Sequence, residues 1–213
     1  MGFQYQHDFS KSFELQVNLQ TRLEQHLSLL DKNLIELEGT YTPAKNKDWK
    51  WLRIGGGFRF FGANDIRGKR QGQQLGYRVY GLLSFEKAWK RLEVGYRLLY
   101  QNQQIIPRYY EQGEDWKQEN LLRNRLTLGY NFKNWKLDPE FRAEIFYPLE
   151  QQEHKGLNSF RLGLGTKYNI NKHHVLKFRF LYEQSLGLNY TKRDFIVVLL
   201  YQYKTKYKKK KKK

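Results

Sequence analysis

The sequence predicts an all-β protein, a single up-and-down antiparallel transmembrane β-barrel of about ten strands. Three observations predict it. Apolar and polar residues alternate with period two in segment after segment, which marks strands with two unlike faces. The connections alternate between short and long, as they do in outer-membrane barrels. Tyr and Trp collect at segment ends, where a membrane–water boundary favours an apolar ring with a polar tip.

The first segment, 13–24, sets Phe13, Leu15, Val17, Leu19 and Leu23 against Glu14, Gln16, Asn18, Gln20, Arg22 and Glu24. The stretch LEQHLSLL that follows is rich in helix formers and admits a local helix. Residues 34–41 oppose Ile35, Leu37 and Tyr41 to Glu36, Glu38 and Thr40, and residues 49–61 oppose Leu52, Ile54, Phe58 and Phe60 to Arg53, Gly55, Gly57 and Arg59. Residues 75–85 put Leu75, Tyr77, Val79, Leu83 and Phe85 on one side and Gly76, Arg78, Tyr80 and Ser84 on the other. Residues 92–101 repeat this with Leu92, Val94, Tyr96, Leu98 and Tyr100 against Glu93, Gly95, Arg97 and Gln101.

In the second half, Leu126, Leu128, Tyr130 and Phe132 oppose Arg123, Arg125, Thr127 and Gly129. The segment WKLDPEFRAEIFYP alternates Trp135, Leu137, Pro139, Phe141, Ala143, Ile145 and Tyr147 with Lys136, Asp138, Glu140, Arg142, Glu144 and Phe146. Phe160, Leu162, Leu164, Tyr168 and Ile170 then oppose Arg161, Gly163, Gly165 and Lys167. Leu176, Phe178, Phe180 and Tyr182 oppose Lys177, Arg179 and Glu183, and the last segment carries Phe195, Val197, Leu199, Tyr201 and Tyr203 on one side. Short turns such as EKA and KN follow the even-numbered segments. Longer polar loops such as GANDIRGKRQGQ and NQQIIPRYYEQGEDWKQEN follow the odd ones. An even strand number places both termini at the short-turn, periplasmic end.

The totals fit this reading. No run in the 213 residues approaches the roughly 18–20 apolar residues of a membrane helix. The mean hydropathy of −0.85 leaves a barrel open, because only alternate residues face lipid. With no cysteine there are no disulfides or thiolate metal sites. Met1 leads directly into GFQYQHDF, so the sequence reads as a mature outer-membrane protein of a Gram-negative bacterium with its signal peptide removed. Residues 1–203 form the barrel in this reading. Residues 204–213 form a Lys-rich, disordered tail that supplies eight of the cations behind the formal charge of +18.

The second half carries a family likeness. Its markers are Arg123 and Arg125 near a strand start, the strand with Pro139, Glu140, Arg142, Glu144 and Phe146, the strand with Arg161, Gly163 and Gly165, and the strand with His174 and Leu176. Over roughly residues 120–203 the chain resembles the 2490 family of domains of unknown function, outer-membrane barrels found mainly in Bacteroidota. The resemblance implies fold and location and supplies no reaction.

The charged faces are the candidate site. Small barrels fill their lumen with side chains, and a buried unpaired charge is costly. An interior charge network is therefore expected from Arg53, Arg59, Arg78, Arg97, Arg123, Arg125, Glu140, Arg142, Glu144, Arg161, Lys177 and Arg179. Within it, Glu140, Arg142 and Glu144 should meet Arg123, Arg125 and Arg161, while Phe141, Ala143 and Ile145 face lipid. Glycines on the inward side should make room for Arg or Tyr across the lumen.

The function expected is a non-enzymatic barrel, structural or an accessory subunit of a larger envelope complex, with outer-membrane lipid and lipopolysaccharide as its surroundings. A narrow channel for small solutes or ions is the alternative, with the inward cations suited to small anions. A rim hydrolase is a third reading, but no nucleophile–base pattern accompanies His7, His26, His154, His173 or His174. No cofactor or metal is expected, since adjacent His173 and His174 on a strand point to opposite faces. GGG at Gly55–Gly57 lacks the Lys and Ser/Thr of a phosphate loop. Nucleic acid is not an expected partner, because the cations alternate with lipid-type residues rather than forming one patch. The basic loops 67–70 and 190–193 suit lipopolysaccharide phosphates at the outer face.

Overall fold

The computed structural model describes residues 1–24, 29–43, 51–65, 72–106, 117–133, 135–149, 159–186 and 193–206. Alternation becomes strand throughout, in eleven elements: β1 (Gly2–Asp8), β2 (Phe13–Glu24), β3 (Leu29–Tyr41), β4 (Leu52–Asp65), β5 (Gly72–Trp89), β6 (Leu92–Ile105), β7 (Lys117–Tyr130), β8 (Leu137–Pro148), β9 (Ser159–Asn169), β10 (His174–Ser185) and β11 (Arg193–Lys206). Each pairs with its neighbours in chain order, and the sheet closes on itself between β1 and β11. Closure pairs every edge, which removes the hazard of exposed strand edges.

The count exceeds the expected ten by β1, a strand of only seven residues. GFQYQHD alternates Phe3, Tyr5 and His7 with Gln4, Gln6 and Asp8, but it is short, and two of its three inward polar residues are amides rather than charges. It runs parallel to β11, from Gly2 opposite Leu200 to Asp8 opposite Lys206, and antiparallel to β2, from Gly2 opposite Gln20 to Asp8 opposite Glu14. The closing pair is thus parallel in an otherwise antiparallel barrel. The even-number argument for the termini does not hold, since Gly2 lies part-way along the wall, level with Gln20 and Leu200. Side chains reinforce the seam: Gln202 donates to the Gln6 side-chain oxygen at 2.6 Å, and His7 Nδ1 lies 2.6 Å from Thr205 Oγ1.

Two local expectations change. The LEQHLSLL stretch is extended at Leu23, Glu24, Leu29 and Leu30, because β2 and β3 pair through these residues after a register shift between Arg22 and Leu23. Residues 25–28 lie outside the described residues. β11 continues through Lys204 and Lys206, beyond the expected barrel end at Tyr203, because β1 pairs with it there. The Lys run from 208 lies outside the described residues.

The two faces of the wall differ as the alternation requires. Leu164, Phe195 and Val197 on the outer face are each at least 60% exposed. Buried side chains point into the lumen, among them the polar Gln101, Gln202, Glu36, Glu38 and Glu144 and the apolar Leu34, Phe61, Leu99 and Phe146. At the short-turn end aromatic rings gather. Trp51 stacks on Phe85 at 5.5 Å, Phe132 meets Trp135 at 5.4 Å, and Tyr203 lies 5.0 Å from the His174 ring. Trp89, also at this end, is half-exposed.

Candidate functional site: the charged lumen

The lumen is built by register. Glu144 on β8 stands opposite Arg125 on β7 and opposite Arg161 on β9. Its carboxylate is almost fully buried and accepts from Arg123 at 2.8 Å, Arg125 at 3.0 Å and Arg161 at 3.3 Å. Arg161 also reaches Glu183 on β10 at 2.5 Å. Glu140 takes a different set from the one expected. Its partners are Arg142 at 2.8 Å on its own strand and Arg179 of β10 at 3.4 Å. The reason is spacing: Glu140 lies opposite Gly165 and Gly129, so neither neighbouring strand offers a cation directly across.

A second carboxylate cluster spans the lumen. Glu38 on β3 accepts from the Tyr80 hydroxyl at 2.7 Å and from Arg97 at 2.6 Å. Arg97 belongs to β6, three strands away, so this contact crosses the interior rather than running along the wall. Lys167 of β9 and Glu93 of β6, at 3.3 Å, make a second such brace nearer the short turns. Arg59 pairs with Glu36, whose other oxygen accepts from Asn18 at 3.0 Å. Arg53 pairs with Glu86 at 3.2 Å, where both side chains are well exposed at the short-turn rim.

Of the twelve charged residues expected in the network, Arg78 and Lys177 form no ion pair among the described residues. Arg78 donates to the amide oxygen of Gln103, and Lys177 to that of Gln4 at 3.3 Å. Of the twelve, Arg53, Arg59 and Arg97 thus meet the carboxylates of Glu86, Glu36 and Glu38, and the other nine meet one another or a neutral amide.

Alternation did not show the apolar layer. Phe146 lies on the charged face of its strand, yet its ring sits beneath the guanidinium groups of Arg123 and Arg161, at 4.8 and 5.1 Å. A ring face attracts a cation and shields it from water. Tyr80, Leu82 and Leu99 form a small apolar cluster beside the Glu38 brace. The signal was present as inward-phase Leu and Phe, but period-two reading assigns such residues to no face with certainty when apolar residues are adjacent, as in Leu82–Leu83 and Leu98–Leu99.

The inward glycines do make room. A Cβ on Gly57 would stand 2.5 Å from the Tyr80 ring and hydroxyl and 2.6 Å from the Leu37 carbonyl oxygen. A Cβ on Gly165 would stand 2.8 Å from the Arg179 side chain. Gly57→Ala is therefore expected to push Tyr80 off Glu38 and to destabilise the barrel by about 1–3 kcal/mol, as overpacking does. The check is a urea unfolding midpoint beside that of Gly81→Ala, since a Cβ on Gly81 would meet nothing within 4 Å.

A cavity of about 690 Å³ occupies the lumen and reaches the short-turn rim at Lys87, Tyr130 and Asn131. Arg59, Arg78, Arg97, Arg123, Arg142 and Lys177 are among its lining residues, whereas Glu144 and Arg161 lie behind it in the wall. Among the described residues no histidine lines this cavity. His173 Nδ1 faces the Lys204 carbonyl oxygen at 2.8 Å, His174 the Tyr201 hydroxyl, and His7 Thr205, all near the seam. His26, His154 and the basic loops 67–70 and 190–192 lie outside the described residues. Among the described residues no three His, Cys, Asp or Glu side chains group as a metal site.

No curated protein matches the chain. Among solved structures, one described as a NanC porin structure in a rhombohedral crystal form aligns over 93% of this chain and 95% of its own, at 14% identity and a TM-score of 0.48. The markers quoted from the second half are part of a longer match, since the family model described as a protein of unknown function (DUF2490) aligns with residues 1–191, which take in β1 through β10, and the chain belongs to that family.

Proposed function

We propose that this protein is an outer-membrane β-barrel of a Gram-negative envelope, with its short turns in the periplasm and its longer loops outside. The observation that carries the reading is the inverted wall: large apolar side chains on the outer face, ion pairs and amides on the inner face of a closed sheet. In water such a wall exposes its apolar side. In a bilayer it satisfies every backbone group internally and presents lipid with a matching surface. The aromatic rings at the short-turn end suit the headgroup level. Fractionation of membranes tests this, followed by gel migration with and without heating. A detergent-requiring, heat-modifiable band is expected, and full solubility in buffer alone would overturn the placement.

Within the membrane the role is non-enzymatic: a braced barrel that serves as a structural element or accessory subunit of an envelope complex. Support comes from the two cross-lumen contacts, Glu38 with Arg97 and Lys167 with Glu93, each of which ties together strands three apart in the barrel. Purification from outer membranes in mild detergent is expected to bring one or more envelope proteins along. Emergence as a single species would remove the accessory role.

One observation favours a second reading, a narrow path for small anions. The cavity enters from the short-turn rim and is lined by more cations than nearby carboxylates can pair. Planar-bilayer recording under a KCl gradient separates the two readings. A closed barrel gives no steady conductance, whereas a path gives small, anion-selective steps. In the second case Glu38→Ala, which frees Arg97 and Tyr80 from the brace, is expected to enlarge the steps.

A further inference from the structure

We infer that the lumen cavity holds a binding site for a small oxyanion, a phosphate- or sulfate-like group, formed by Arg59 of β4, Arg78 of β5 and Arg123 of β7. The proposal rests on the closed barrel and its lumen, not on membrane placement or on conduction.

The first argument is the supply of negative charge. Glu36 is engaged by Arg59 and Asn18, and Glu144 is shared by Arg123, Arg125 and Arg161. Arg78 stands directly opposite Arg59 in the sheet, and the repulsion it feels from Arg59 and Arg123 outweighs the pull of Glu36 and Glu119, neither of which forms an ion pair with it among the described residues. Its one hydrogen-bond partner among the described residues is the neutral Gln103 side chain. Like-charged guanidinium groups drawn together in a partly dry lumen repel one another, and without a counter-charge the arrangement is costly. An anion among them removes that cost.

The second argument is unused donors. Among the described residues the Nε atoms of Arg78 and Arg123, like those of Arg97 and Arg142, are buried and have no hydrogen-bond partner, although Arg123 already gives Nη1 to Gln101 at 3.0 Å and Nη2 to Glu144 at 2.8 Å. Buried donors without partners are rare and call for an acceptor. Guanidinium forks match the oxygen spacing of phosphate and sulfate, which a lysine ammonium does not.

The third argument is access. Arg59, Arg78 and Arg123 all line the cavity of about 690 Å³, which reaches the short-turn rim. Between rim and site stand Lys177, Arg179, Arg142 and Arg125, each electrostatically coupled to the next. Glu140 is the carboxylate among them, and it is already shared between Arg142 and Arg179. An anion that passes the rim carboxylates Glu14, Glu86, Glu93 and Asp138 thus meets these cations on its way inward.

The test is a titration of the detergent-solubilised, folded protein with inorganic phosphate, then sulfate, at fixed ionic strength set with chloride. Calorimetry and the urea unfolding midpoint are the readouts. A saturable heat and a saturable rise in midpoint are expected, since a ligand that binds only the folded state stabilises it. Arg78→Gln is expected to weaken phosphate binding by roughly tenfold or more, the usual worth of a hydrogen bond to a charged group. Lys172→Gln, in the turn between β9 and β10, leaves binding within about twofold, since its side chain is exposed and does not line the cavity. If Arg78→Gln does not fold, Arg78→Lys keeps the charge and loses the fork, and the same weakening is expected. Absence of saturable binding in the unaltered protein overturns the site, as does equal binding by Arg78→Gln or Arg78→Lys. Binding without conductance keeps the site and removes the path.

Discussion

Replacing Glu144 with glutamine is expected to lower the unfolding free energy of the barrel by about 3–5 kcal/mol, the loss typical when a buried charge loses its partner. Three arginines, from β7 and β9, converge on this one carboxylate, and its side chain is only 2% exposed. Glutamine keeps the volume and removes the charge. It also brings an amide NH2 against guanidinium donors that have nothing to offer it. Arg123 is held further by Gln101 and by the Phe146 ring, so it cannot swing out to water without breaking those contacts too. The measurement is a urea titration of folded protein in detergent, read by the gel-mobility shift between folded and unfolded forms. Adding Arg125→Gln to the variant removes one of the stranded cations and is expected to restore part of the loss, a coupling expected for residues in one network. A midpoint equal to that of the unaltered protein would mean that lumen water screens the cluster.

Where the alternation was long and its two faces chemically distinct, the fold was legible. β8 is the clearest case. Its inward Asp138, Glu140, Arg142 and Glu144 and outward Phe141, Ala143 and Ile145 follow from period two alone. β1 was missed for a physical reason: seven residues whose inward side chains are mostly amides carry too little contrast to stand out, even though a short turn joins them to β2. The partners within the network were only half legible. Alternation gives the face of a residue but not its register, and register decides that Glu144 meets three arginines while Glu140 turns to its own strand. The contact from Glu38 to Arg97 across the lumen depends on barrel closure, which no local pattern encodes. The family likeness in the second half pointed the same way, and the family match extends it to residues before 120.

Placing an arginine at Leu164 is expected to cost about 2–4 kcal/mol if this wall faces the middle of a bilayer. Leu164 lies half-way along β9, points outward, and is 64% exposed, so no lumen group is near enough to pair with the new charge. In lipid the guanidinium must reach the headgroups or draw water inward. In water the same substitution on an exposed site is close to neutral. The contrast comes from Thr127→Glu, one face away. Thr127 lines the cavity and stands opposite Arg142, which has only a share in Glu140, so a new carboxylate there meets a cation and is expected to change stability by less than about 1 kcal/mol. Both variants are refolded into phospholipid vesicles and unfolded with urea beside the parent protein. The sign of the difference reports which face of the strand meets lipid, independently of any transport or binding activity. Equal tolerance of charge on both faces would exclude a lipid-facing wall and with it the membrane reading.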